Sequence, residues 1–169
     1  MKNRVGILSA AAMAAILAAP LALAANATQA DAFMQKAIAG NLAEIKVGQL
    51  AQQKGATQGV RHFGTVLEQD HSKANSQAMT AASSMGVTPP GAPGPKEQAE
   101  YQRLASLSGS QFDKAFVKAM VKDHQKDIKE YKKESKSSNS PAASYAAQIL
   151  PDLNKHLRIA ESLEHQPSG

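Results

Sequence analysis

The chain has 169 residues, 19 Lys and Arg against 14 Asp and Glu, a formal net charge of +5 at pH 7, and no cysteine. Without thiols there can be no disulfide staple, no thiolate metal site and no acylated N-terminal cysteine, and so mild a positive charge gives no reason to expect a nucleic-acid partner. Trp is absent, Phe and Tyr number only 4 and 3, and the Val, Ile and Thr runs that mark strands are missing, so the composition predicts an Ala-rich, all-α core.

Residues 1–24 read as an address. Lys2 and Arg4 precede an almost wholly apolar stretch from Val5 to Leu23, and Ala22-Leu23-Ala24 offers a small-x-small cleavage pattern. A retained membrane anchor is the rival reading, opposed by the Ala-dominated run and by Pro20. Cleavage near Ala24 leaves 169 − 24 = 145 residues at a net charge of +3, since Lys2 and Arg4 go with the leader. No second apolar segment is long enough to span a bilayer, so the mature protein is expected in the periplasm or outside the cell. Residues 25–30 are expected as a flexible tail, 31–165 as one helical domain, and 166–169 as a C-terminal tail.

The first helix is predicted from about Asp31 to Lys54, stopping near Gly55, and the second from about Gln58 to Met85, stopping at Gly86. The four prolines and three glycines of Gly86–Pro95 forbid helix, and a short helix follows from about Lys96 to Leu107. Ser110 and Asp113 form a capping-box-like start for the third long helix, which runs to about Ser135, with a turn over Ser137–Asn139. Ser140-Pro141 starts the fourth, which reaches about His165 and contains Pro151 as an expected kink. Tight connections make each consecutive long pair an antiparallel hairpin. The long link between hairpins is the crossover of a ferritin-like four-helix bundle, although an up-down-up-down bundle with a decorated loop meets the same constraints.

Histidines and acids interrupt the apolar stripes. His156 sits among Ala146, Ile149, Leu153, Ala160 and Leu163, and His124 among Val117, Met120, Ile128 and Tyr131. Asp70 and His71 lie on or beside the stripe of the second helix, and Glu44 lies among Ala37, Val47, Gly48 and Ala51 on the first. The apolar-x-x-Asp-His pattern of Leu67–His71 recurs at Met120–His124. Counted from the turn at Ala56 and Thr57, Glu44 is 12 residues back and His71 is 14 forward; from the turn at Ser138 and Asn139, His124 is 14 back and His156 is 17 forward. At 1.5 Å per residue all four stand roughly 18–26 Å along helices about 38 Å long, near mid-height.

A buried carboxylate and several imidazoles need partners. Glu44, His71, His124 and His156 are therefore candidate ligands for one transition metal ion (Fe, Mn, Zn, Ni or Cu), with Asp70, Asp123 and Glu68 as supporting groups. A metal-free hydrogen-bonded layer that fixes helix register is the alternative. Lys114, Lys118, Lys122, Lys126, Lys129, Lys133 and Lys136 make a basic face on the third helix, read as solvated or as a peripheral contact to the cell envelope. His62 and His165 read as exposed.

From Phe33 to Leu163 the chain resembles the exported bacterial family known as domain of unknown function 4142, whose members are often labelled outer-membrane proteins and grouped with ferritin-like folds. The resemblance rests on Gly40-Asn41-Leu42-Ala43-Glu44-Ile45, Asp70-His71, Phe112-Asp113, Met120-Val121-Lys122-Asp123-His124, and Leu150-Pro151 followed by His156-Leu157. It implies a ferritin-like architecture and no established activity. Glu68-x-x-His71 spells one Glu-x-x-His of a di-iron bundle, but Val121 and Leu153 stand where the other helices need glutamate. The reading is thus a metal-binding bundle, with a metal-free interaction or stress-protective module and a redox enzyme with a degenerate dinuclear site as the alternatives. Enzymatic activity is left open and leans toward none.

Overall fold

The computed structural model describes residues 18–137 and 140–165, with side chains from residue 28 onward. Of the expected leader, residues 1–17 lie outside the described residues, as do 138–139 in the last turn and the tail at 166–169. The described residues form five helices and no strand: α1 (Ala18–Lys54), α2 (Gln58–Ser84), α3 (Pro95–Ala105), α4 (Gly109–Glu134) and α5 (Pro141–Glu164). None of them is long and apolar enough to cross a membrane.

α1 begins well before the expected start at Asp31. Pro20 sits in its first turn, where a proline costs no helical hydrogen bond, and no breaker follows before Gly40. Residues 25–30, expected as a flexible tail, are therefore helical, and Ala30 and Met34 already belong to the core. α2 starts where the sequence predicts, with the Thr57 hydroxyl capping Val60 N at 3.3 Å. The cap of α5 is likewise the predicted one, the Ser140 hydroxyl accepting from Ala143 N at 3.1 Å ahead of Pro141.

The start of α4 differs. Ser108, in place of Ser110, precedes the helix, and Gly109 takes a φ of +58° that only glycine adopts freely. Asp113 does not close a capping box on its own helix. Its carboxylate accepts from Ala56 N at 2.8 Å and from Thr57 N and Thr57 Oγ1 at 2.9 Å, so it caps the start of α2 across the fold. Spacing alone cannot distinguish these roles, because a buried acid seeks the nearest orphan donors wherever they come from.

α1 packs along α2 and α4 along α5, the two pairs meet mainly through α2 and α5, and α3 lies across α1 and α4. The α1–α2 contact is backbone to backbone at one point. A Cβ on Gly64 would stand 2.6 Å from Gly48 O, and one on Gly48 would stand 2.7 Å from Gly64 O. The core divides into two apolar clusters. One holds Ile38, Ala74, Ile128 and Leu153; the other holds Val47, Leu67, Met120 and Ala160. On each long helix the residues between these limits, including 41–44, 70–71, 124 and 156, form a polar layer between two dry halves.

Candidate metal centre

Within that layer His71, His124 and His156 converge. One nitrogen from each ring lies within 4.8 Å of the other two, and the three side chains are only 5%, 2% and 1% exposed. His71 and His156 have ring centroids 5.2 Å apart, as do His124 and His156, and His71 and His124 are separated by 6.0 Å. The histidine part of the mid-height layer is thus assembled as the helix-level count places it.

Each ring is held by an oxygen at its other nitrogen. His124 Nδ1 lies 2.9 Å from the Met120 carbonyl, which can only accept, so that nitrogen carries the proton and Nε2 is bare. His156 Nε2 lies 2.8 Å from Asp70 Oδ2 and donates to it, leaving Nδ1 bare. His71 Nδ1 lies 3.0 Å from Asn41 Oδ1, whose amide nitrogen is directed at the Tyr145 hydroxyl at 3.0 Å, so His71 too donates and keeps a bare Nε2. Among the described residues His71 Nε2 has no hydrogen-bond partner, and His124 Nε2 and His156 Nδ1 face each other at 3.2 Å.

Electrostatics favours this uncharged state. Burial lowers the pKa of all three histidines, further lowered for His71 by His124 and His156, and for His124 by His156, which brings His124 to about 3. For His156 the Asp70 carboxylate opposes burial without overcoming it. Asp70 itself stays ionised: burial would raise its pKa, but Lys155, 2.5 Å away, and His156 lower it more.

The acids separate into three fates. Asp70 supports a ring, as the sequence suggests. Glu68 turns away from the centre and accepts from Gln49 at 2.7 Å and Gln52 at 2.6 Å, both on α1. Glu44 is not in the converging group, and Asp123 has no hydrogen bond to an imidazole among the described residues. Both line a cavity of about 80 Å³ that also touches His71 and Asp127. Burial raises the pKa of Glu44 well above the carboxylate range, with Asp123 and Asp127 adding to it. It also raises that of Asp123, and that of Asp127 to about 6.

Sequence reasoning missed Asn41, Asp127 and Lys155. Asn41 was within its reach. It lies 56 − 41 = 15 residues before the first turn, against 71 − 57 = 14 for His71, a closer match in height than Glu44. Lys155 is the sequence neighbour of His156, and no sequence signal marks its pairing with Asp70. His62 and His165 are exposed as predicted, and so are the seven lysines of the α4 face.

A family described as a domain of unknown function (DUF4142) matches the chain over residues 12–163. No curated protein and no solved structure matches it.

Proposed function

The chain belongs to that family, and we propose that it binds one divalent transition-metal ion through His71 Nε2, His124 Nε2 and His156 Nδ1. One observation carries this reading: three buried imidazoles bring one nitrogen each to within 4.8 Å of one another, while each ring has one nitrogen tied to an oxygen and the other bare. Lone pairs in mutual contact repel, and an orphaned buried acceptor costs about 1–3 kcal/mol. A cation between them removes both penalties. Ring nitrogens around a tetrahedral zinc stand about 3.3 Å apart, close to the 3.2 Å between His124 and His156. The outward N–H groups are held by Asn41, Met120 and Asp70 in the manner that fixes metal-ligating histidines.

An all-imidazole donor set suits Zn, Cu, Ni and Fe better than Mn, which favours carboxylate and water. With Glu68 turned outward and Glu44 outside the group, no carboxylate bridges two ions, so a mononuclear site fits better than a dinuclear redox centre. The packing of α1 on α2 and of α4 on α5, with α3 in the long connection, supports a ferritin-like four-helix bundle of two hairpins. The basic-then-apolar first 24 residues support export to the periplasm or beyond.

The metal-free layer has one observation in its favour. At 3.2 Å, a single proton on His156 Nδ1 makes a hydrogen bond to His124 Nε2, and Asp70 balances the resulting imidazolium. That arrangement still leaves His71 Nε2 without a partner, so the metal reading explains more. Metal-free protein incubated with Zn²⁺, Cu²⁺, Ni²⁺, Fe²⁺ or Mn²⁺ and then desalted should retain one ion per chain for at least one of the first four. The His124→Ala and His156→Ala variants should retain none. Background metal throughout, with an unchanged melting temperature, contradicts the proposal.

A further inference from the structure

The cavity under α3 has chemistry unlike that of the histidine centre. Glu44 and Asp123 and Asp127 bring three carboxyl groups into it, from α1 and α4. Partly exposed Glu97 and Glu100 of α3 line the same space, which runs inward to His71. Two of the residues that line it have a buried side-chain atom with no hydrogen-bond partner among the described residues: Glu44 at Oε2 and His71 at Nε2. The nearby cations do little for the carboxyl groups. Lys126 Nζ stands 3.6 Å from Asp127 Oδ1 and 3.8 Å from Glu130 Oε1 on a side chain 44% exposed, and Lys36 is held by Glu130 at 2.6 Å. Neither makes an ion pair with Glu44 or Asp123 among the described residues.

We infer that this cavity is a carboxylate loading site, where a divalent transition-metal cation first exchanges water for the oxygens of Glu44, Asp123 and Asp127 before passing to the three imidazoles by way of His71. The inference rests on the three-histidine reading above and adds the route to it. At the mouth of the cavity Glu100, whose pKa is lowered by its hydrogen bond to Arg103, keeps a negative charge that concentrates cations and raises their association rate. Oxygen donors accept a hydrated ion, and the imidazoles then hold it more tightly. The three rings are neutral ligands, so the bound ion keeps its full charge, which the adjacent carboxylates offset.

Stopped-flow loading of the metal-free full chain with Co²⁺, followed by its visible absorption, tests the route. Glu44→Gln and Asp127→Asn each remove an oxygen that would bind the arriving ion as carboxylate, and each should slow loading by about tenfold or more. Equilibrium affinity should change far less, because the three imidazoles are untouched. Glu68→Gln, an acid outside the cavity, should load at the parent rate. Either folded variant suffices as a probe, and circular dichroism establishes the fold. Parent-like loading rates in the folded variants overturn the inference and leave the histidine centre standing. A Glu44→Gln variant that loses affinity as severely as His124→Ala also overturns it, by making Glu44 a ligand of the centre itself. No Co²⁺ uptake by the parent chain overturns the histidine reading, and this inference with it.

Discussion

His124 Nε2 and His156 Nδ1 lie 3.2 Å apart, yet in the neutral rings neither atom carries a proton to share. The N–H of one ring donates to the Met120 carbonyl at 2.9 Å and that of the other to the Asp70 carboxylate at 2.8 Å. A cation, or one extra proton, must mediate between them, and the His71 ring, with a bare Nε2 of its own, packs 5.2 Å from that of His156.

Metal should stabilise the fold measurably. A ligand that binds only the folded state at 100 times its Kd adds about 2.7 kcal/mol, which for a chain of this size is a rise of roughly 5–10 °C in melting temperature. Thermal melts of the parent protein with Zn²⁺ should show that rise, and His124→Ala should show none.

Asp70 should matter and Glu68 should not. Asp70→Ala leaves the His156 N–H and Lys155 without their shared acceptor, so metal affinity should fall by about 10–100-fold as measured by competition with a chromophoric chelator. Glu68→Ala breaks only hydrogen bonds to Gln49 and Gln52 and should bind metal as the parent does.

The acidic cavity should give a pH-dependent difference in stability. Burial above all raises the Asp127 pKa to about 6, against the attraction of Lys126 and with help from Glu130 and Asp123; its ordinary value is 3.8. Between those values the unfolded chain has released the proton and the folded chain still holds it, so stability is lost as pH rises through the window. In metal-free protein, Asp127→Asn should therefore melt above the parent at pH 8. The gain should shrink below pH 6 and be gone near pH 4. Burial of the histidines acts with the opposite sign, their folded-state pKa lying below the unfolded value, but this contribution is common to both proteins and cancels. A difference that stays constant with pH contradicts this assignment.

Gly64→Ala should weaken the α1–α2 pair. The added methyl meets Gly48 O at 2.6 Å, backbone that cannot step aside without parting the helices. Overpacking of this kind costs about 1–3 kcal/mol, read as a lower denaturation midpoint. Because His71 is two turns along α2 from Gly64, metal affinity should fall as well.

Much of the architecture was legible because helix starts and stops are local events: Thr57, Ser140-Pro141 and the Gly86–Pro95 breaker act within a few residues of themselves. Heights of the histidines were legible because rise per residue is constant. Rotation about a helix axis is not constant in that sense. Glu44 and Asn41 are three residues apart on one face, and which of them meets His71 depends on how closely Gly48 and Gly64 bring the two backbones together. Asp113 caps α2 and not its own helix for a similar reason, since its partners at Ala56 and Thr57 are fixed by tertiary packing. Asp123 neighbours His124 in sequence but does not support it, because adjacent residues on a helix point some 100° apart, and it lines the cavity instead.

Long-range nitrogen–proton correlation spectra of the ¹⁵N-labelled imidazoles test the central claim most directly. Metal-free protein near pH 7 should show His71 and His124 protonated at Nδ1 only and His156 at Nε2 only, and one equivalent of Zn²⁺ should shift chiefly the three bare nitrogens. A His156 ring protonated at both nitrogens, with spectra unmoved by Zn²⁺, would contradict the account and leave a proton-bridged structural layer in its place.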